Sequence, residues 1–156
     1  MATQLRYRYT ECGLDNVYLV NGFEPVSTPR GEGVKIQDIE GLHRAIGLLL
    51  IEEKQNLNGK EFRFLRHEMN MTQRSLAELL RVDVQRLARW EKGQTQTIDG
   101  PSQNIVRLLY REFIGGNMKI VEPLKRLAEL DEALELDDED FSFEDTAEGW
   151  QPAQAA

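Results

Sequence analysis

The chain has 156 residues, enough for one domain or two small ones, and its 40% hydrophobic content can support a packed core. Its formal net charge of −8 argues, as a total, against a nucleic-acid partner. The charge is unevenly distributed, however. Residues 59–126 carry thirteen basic and eight acidic side chains, whereas residues 127–156 carry eleven acidic side chains and no basic one. The total therefore averages a basic middle and an acidic end.

Several classes of site are excluded by the residue types. Cys12 is the sole cysteine and His43 and His67 are the only histidines, too few for a structural zinc site or an internal disulfide. No nucleophile and base stand together in a recognisable motif, so we do not expect an enzyme. The longest apolar run, Ile46 to Ile51, is too short to cross a bilayer, and no signal peptide is evident. We expect a cytoplasmic protein without metal, cofactor or membrane contact.

The first third of the chain predicts short strands followed by one helix. Three β-prone runs alternate with glycines and prolines, which favour turns: residues 7–9, 17–20 and 34–36. Asp38 can cap a helix that ends near Gln55, and Asn58 with Gly59 is typical of a hinge. Residues 1–58 are therefore predicted to form an N-terminal β-rich domain with one helix.

Residues 59–135 predict a domain of five short helices, so the chain is mainly α, and α+β overall. Thr72 and Asp83 can cap the second and third of these helices, and Gly93 can end the third. A fourth begins at Pro101, and a fifth is expected over residues 121–130. The second and third are joined by a tight turn, and the third has a basic outer face, as a helix-turn-helix requires.

The stretch from Met71 to Gly93 carries a specific motif. Its segments are MTQ at 71–73, LAELL at 76–80 and RWEKG at 89–93. It resembles the signature of the Cro/repressor or XRE family, in which a Thr-Gln pair opens one helix and an Arg-aromatic-Glu-basic-Gly stretch ends the next. Arg81 stands where that family usually has Gly. The resemblance implies a lambda-repressor-like helix-turn-helix domain and, as partner, a double-stranded DNA operator.

Side-chain chemistry predicts roles within this motif. Glutamine suits the N6/N7 edge of adenine and arginine the O6/N7 edge of guanine, so Gln85, Arg86 and Arg89 are expected to reach base edges. Gln73 is a phosphate contact by the resemblance, and Arg74 and Lys92 add charge. The predicted DNA-binding set is Gln73, Arg74, Val84, Gln85, Arg86, Arg89 and Lys92, with Arg66 as a further candidate. We expect Trp90 to be core, Glu91 to pair with an arginine and Arg107 to be solvated.

One helix-turn-helix covers a single half-site, so a homodimer on an inverted repeat is expected. The fourth and fifth helices offer the candidate dimer surface, through Leu108, Leu109, Phe113, Val121 and Leu124. Alternatively, these residues complete the core of one subunit.

The order of the parts resembles antitoxins of the MqsA type, with the HigA type as the nearest other comparison, but without the zinc-binding cysteines. The resemblance implies a repressor of its own operon whose N-terminal domain neutralises a small toxin. The alternative is a stand-alone transcriptional regulator whose N-terminal domain senses a ligand or supports dimerisation.

Residues 136–156 form an acidic end that predicts a disordered tail. Such a tail can simply add solubility. Alternatively, Asp137 to Asp145 folds back on the basic face and competes with DNA, or contacts a basic toxin.

Overall fold

The computed structural model describes residues 6–93, 97–116 and 142–153. Within these described residues, four strands lead into five helices, and two further strands follow. They are β1 Tyr7–Arg8, β2 Tyr18–Leu19, β3 Phe23–Thr28, β4 Gly31–Ile36, α1 Ile39–Glu52, α2 Gly59–Glu68, α3 Gln73–Leu80, α4 Val84–Lys92, α5 Gly100–Ile114, β5 Phe143–Thr146 and β6 Gly149–Pro152. This confirms the predicted α+β layout in outline. The helix predicted over residues 121–130 lies outside the described residues.

The N-terminal strands form two separate antiparallel pairs, β1 with β2 and β3 with β4. The sequence pattern does not predict strand β3, because the glycines and prolines between the β-prone runs, Pro25 among them, favour turns. In the structure Pro25 lies opposite Val34 within the β3–β4 pair, and a two-stranded pair leaves each strand an open edge where a missing N–H is tolerated. Tyr9, Leu14 and Leu19 from the first pair and its connecting loop are buried in the core.

Helix α1 begins as predicted, because the Asp38 side chain accepts a hydrogen bond from the Gly41 N–H. Its C-terminal carbonyls are satisfied by Arg107 of α5. The Arg107 guanidinium donates to the carbonyls of Leu50 and Ile51 at 3.1 and 3.0 Å. Carbonyls in the last turn of a helix lack partners within the helix, and a cation there also opposes the helix dipole. The expectation that Arg107 is merely solvated is therefore wrong.

The connection between α1 and α2 is tightly hydrogen-bonded. Leu57 is buried, and its N–H donates to the side-chain oxygen of Gln103 at 3.0 Å. Asn58 and Glu61 form a reciprocal capping box at the start of α2. A side chain at Gly59 would lie 2.0 Å from the carbonyl oxygen of Trp90. The residues that suggest a hinge in the sequence thus serve as a helix cap and as a close contact with α4.

A continuous hydrophobic core extends from Tyr9 to Tyr110 and includes side chains from both sides of the predicted boundary at residue 58. Helix α1 packs against α5 and α2. The approach to α5 is close: a Cβ at Gly47 would lie 2.1 Å from the Tyr110 hydroxyl oxygen. None of the helices described is long and apolar enough to span a bilayer.

The acidic end contains a short hairpin, β5 with β6. Its turn is closed by a hydrogen bond from the Thr146 hydroxyl to the Gly149 carbonyl at 2.8 Å, and Gly149 has φ 105°. Glycine adopts this conformation without steric cost. The expectation of disorder is therefore wrong for residues 143–152, because a turn sequence and cross-strand pairs outweigh the acidic composition. Residues 136–141 lie outside the part that the structure describes.

Candidate nucleic-acid interface

Two capped helices, α3 and α4, form the centre of the predicted motif. The Thr72 hydroxyl accepts a hydrogen bond from the Ser75 N–H at 3.0 Å, and the Asp83 carboxylate accepts one from the Gln85 N–H at 2.7 Å. Gly93, at φ 67°, ends α4. All three termini are as the sequence predicts, because each depends on a local side-chain or backbone preference.

The turn between the helices is made without glycine. Arg81 adopts the left-handed conformation, φ 57° and ψ 42°, and its N–H donates to the carbonyls of Ala77 and Glu78. The next N–H, that of Val82, donates to the Ala77 carbonyl at 3.0 Å. A left-handed non-glycine residue costs about 1–2 kcal/mol. Arg81 thus adopts a backbone conformation that glycine favours. These hydrogen bonds close the turn although the family usually has glycine at this position.

The inner face of α4 is held by the core. Leu87 and Trp90 are buried, and the Trp90 ring contacts Phe62 of α2 edge to face with ring centroids 5.9 Å apart. Such aromatic pairs stabilise a core by more than their buried area. The prediction that Trp90 is a core residue is confirmed.

A buried ion pair fixes the same face. Arg66 of α2 donates to both carboxylate oxygens of Glu91, at 2.8 and 2.6 Å, and to the Met71 carbonyl at 2.9 Å. Both side chains are buried. This confirms that Glu91 pairs with an arginine. It also shows that Arg66 is a wrong candidate for a DNA contact, because its donors bind α4 and the loop before α3.

The outer face of α4 presents three polar side chains to solvent. Gln85, Arg89 and Lys92 follow one another at intervals of four and three residues, so they lie along one stripe of the helix. All three are exposed. Their side-chain nitrogens and oxygens have no hydrogen-bond or ion-pair partner among residues 6–93, 97–116 and 142–153. The stripe is therefore available to an external ligand with hydrogen-bonding groups.

Other members of the predicted set lie beside this stripe. The Arg86 guanidinium lies 5.2 Å from the centre of the Trp90 ring and 3.8 Å from the Asp99 carboxylate. Val84 is half-buried against the core, and Arg74 is exposed at the start of α3. Gln73 is half-buried and donates to Glu91 at 3.4 Å.

One residue that the sequence analysis missed is Asp99. It caps α5 by accepting the Ser102 N–H at 2.8 Å and also faces Arg86. The sequence Asp99-Gly100-Pro101 indicates this cap, because an acidic residue before a proline in the first turn is typical of a helix start.

His67 lies beside the buried ion pair, on the exposed side of α2. Partial burial, and then the positive charges of Arg66 and Arg63, lower the pKa of His67 below its usual value. Within the part of the chain that the structure describes, no three His, Cys, Asp or Glu side chains are grouped to hold a metal ion.

Comparison with known families agrees with this geometry. Residues 62–100 match the family model described as helix-turn-helix. This match, to a helix-turn-helix of the XRE type, supports a DNA-binding transcriptional regulator. The matched segment runs from Phe62, in α2, to Gly100, the first residue of α5. No curated protein and no solved structure shows significant similarity to the chain.

Proposed function

We propose that the chain is a sequence-specific transcriptional repressor that places α4 in the major groove of its operator. The observation that carries this proposal is the contrast between the two faces of α4 in a helix-turn-helix domain. The inner face is fixed by the core and by the pair of Arg66 with Glu91, whereas the polar groups of the outer face have no partner among the described residues. A recognition helix needs both a fixed orientation and free donors and acceptors.

The proposed contacts fall into two groups. Gln85 and Arg89 on the outer stripe read base edges, adenine for the amide and guanine for the guanidinium. Lys92 on the same stripe, and Arg74 with Gln73 at the start of α3, contact phosphates, because they surround the stripe and carry N–H donors. The sequence predicts that Arg86 reads a base edge, but its guanidinium lies near Trp90 and Asp99, so we assign it a contact at the groove wall instead. Val84, which is half-buried against the core, is assigned to the groove wall as well.

The proposed repressor binds an inverted repeat as a homodimer, since one domain covers only one half-site. Helix α5 supplies the interface in this proposal. Leu109, one of the predicted interface residues, is buried in the core, whereas Leu108 is 54% exposed. Leu108 is thus the described residue of the predicted set most open to a second copy. Val121 and Leu124 lie outside the described residues.

A second candidate function is toxin neutralisation, which the resemblance to MqsA-type antitoxins suggests. The N-terminal segment has exposed apolar side chains that favour a protein partner: Tyr18 is 46% exposed and Val20 is 59% exposed. Co-expression with the adjacent gene and co-purification tests this function. A stable complex that Tyr18→Ser or Val20→Ser disrupts would support it, and the absence of any complex would contradict it.

The decisive experiment on the repressor selects binding sites from a randomised duplex library and then compares variants on the selected site. Arg89→Ala is expected to lose about 1–3 kcal/mol of discrimination at one base pair, because its bidentate contact to guanine is removed. Arg30→Ala is the matched control, since it removes the same charge from an exposed turn between β3 and β4.

If Arg89→Ala retained full discrimination on the selected site, the placement of α4 in the groove would be wrong. Equal losses from Arg89→Ala and Arg30→Ala would show a general charge effect instead of base reading.

A further inference from the structure

A cleft of about 460 Å³ lies where the N-terminal part of α1 meets the C-terminal ends of α2 and α5. This volume falls within the range of small-molecule sites, about 300–1,000 Å³. The residues that line the cleft belong to α1, α2 and α5, and none of them is a proposed DNA contact. Apolar side chains of Ile39, Phe113 and Ile114 form part of its wall.

A fixed carboxylate lies on one side of the cleft. His43 is held between two residues: one ring nitrogen lies 2.7 Å from the Tyr9 hydroxyl and the other 2.7 Å from the Glu68 carboxylate. A neutral imidazole satisfies both contacts, accepting at Nε2 and donating from Nδ1. Glu68 receives no other hydrogen bond from the residues that the structure describes. Its second oxygen is therefore available to a ligand, while the first is fixed by His43.

Two further charges line the cleft on α1. Glu40 and Arg44 are one helical turn apart and exposed, yet no ion pair joins them to each other or to another group within residues 6–93, 97–116 and 142–153. An adjacent pair of opposite charges at this spacing usually interacts. Here both charged heads are free to meet a ligand.

Negatively and positively charged side chains line the same cleft. Glu68, Arg44 and Tyr110 all line the cleft. Burial and, after it, the Glu68 carboxylate raise the pKa of the Tyr110 hydroxyl, the Arg44 guanidinium lowers it, and the result is a pKa of about 12. With Glu40, the lining combines two carboxylates, one guanidinium and an apolar wall.

We propose that this cleft binds a small zwitterion with an apolar side chain, of which an α-amino acid is the simplest form. Glu40 and Glu68 hold the ammonium group, Arg44 holds the carboxylate, and Phe113 with Ile114 covers the apolar part. A charged group of a ligand loses its hydration when it enters a cleft, and an oppositely charged side chain compensates for that loss. This proposal is independent of the proposed repressor function, because it is tested without DNA.

The experiment is calorimetric titration of the full chain with each standard amino acid. The best ligand is then compared with its decarboxylated amine and with its deaminated acid, which each remove one charged group. We expect an apolar amino acid to bind best and each analogue to bind about tenfold more weakly or worse. No binding by any amino acid, or a best ligand with a polar side chain, would overturn the proposal.

Variants test the assignment of the two charges. Arg44→Gln is expected to weaken the amino acid about tenfold and to leave the decarboxylated amine unaffected; Glu40→Gln should weaken both. Among the residues that the structure describes, neither side chain has a partner whose loss would unfold the protein. Arg30→Gln and Glu32→Gln are the controls, because they make the same charge changes outside the cleft. Equal effects of cleft and control variants would contradict the proposal.

Discussion

The two faces of α4 differ in what holds their side chains. On the inner face, Leu87 and Trp90 are enclosed by the core, and Glu91 accepts two hydrogen bonds from the buried Arg66. On the outer face, Gln85 and Arg89 are exposed and have no side-chain partner among the residues described. In the proposed function, stability and recognition are thus carried by different residues of one nine-residue helix. Changes on the outer face should therefore leave the stability of the fold intact.

The largest effect is expected from the inner face. Glu91→Ala leaves the buried Arg66 charge without its partner, so the free energy of unfolding should fall by about 3–5 kcal/mol. Urea denaturation measures this loss. The paired variant Arg66→Met with Glu91→Leu removes both charges and should recover most of the stability. A loss below 1 kcal/mol for Glu91→Ala would show that the ion pair of Glu91 with Arg66 is not a major source of stability.

Substitution on the outer face should leave stability intact. Gln85→Ala is expected to lose about 1–3 kcal/mol of discrimination at one A·T pair, because its bidentate contact to adenine is removed. Its urea midpoint should match that of the unmodified protein, since the side chain is exposed. Competition binding with operators altered at single positions measures the discrimination. A lowered urea midpoint for Gln85→Ala would show that the outer face also contributes to stability.

Gln73 shares features of both faces, because it is a proposed DNA contact but is also half-buried and donates a hydrogen bond to Glu91. Gln73→Ala should weaken binding to all duplex sequences about equally, by about 1 kcal/mol, since a phosphate contact carries no base information. Titrations against the selected operator and a scrambled duplex measure both affinities. A change confined to the operator would assign Gln73 to base recognition.

The smallest effect concerns His67, which reports on the charge of Arg66. Burial and the neighbouring arginines lower its pKa in the fold, so the unfolded chain takes up the proton first as the pH falls. This contribution to stability is present above the unfolded pKa, about 6.5, and is lost as the pH falls below it. In the paired variant Arg66→Met with Glu91→Leu, NMR titration should show a higher His67 pKa, because Arg66 lowers this pKa by more than Glu91 raises it. An unchanged pKa would show that the charges of Arg66 and Glu91 have no net effect on His67.

Local features of the helix-turn-helix were predictable because each depends on residues close in sequence. Thr72, Asp83 and Gly93 act at helix ends through their own side chains or backbone preferences. The spacing of Leu87 and Trp90 likewise indicates the buried face of α4 without knowledge of its neighbours. The match of residues 62–100 to the helix-turn-helix family is consistent with this local information.

Other features depended on residues far apart in the chain. The sequence does not distinguish three arginines, because each is a basic residue on an amphipathic helix: Arg66, Arg89 and Arg107. Their surroundings in the structure differ. Arg66 binds Glu91, Arg107 binds the carbonyls at the end of α1, and Arg89 is exposed. Composition likewise suggested disorder at the C-terminus, where the turn at Gly149 forms a hairpin.

The sequence by itself determined the helix ends, the buried face of α4 and the family motif, because caps and periodicity act within one or two turns. Only the tertiary structure decided which arginine is buried and which is free. It also decided that α1 joins the core beside α5, and that Glu40, Arg44 and Glu68 share a cleft. These depend on the packing of helices that are distant along the chain, and no local spacing encodes it.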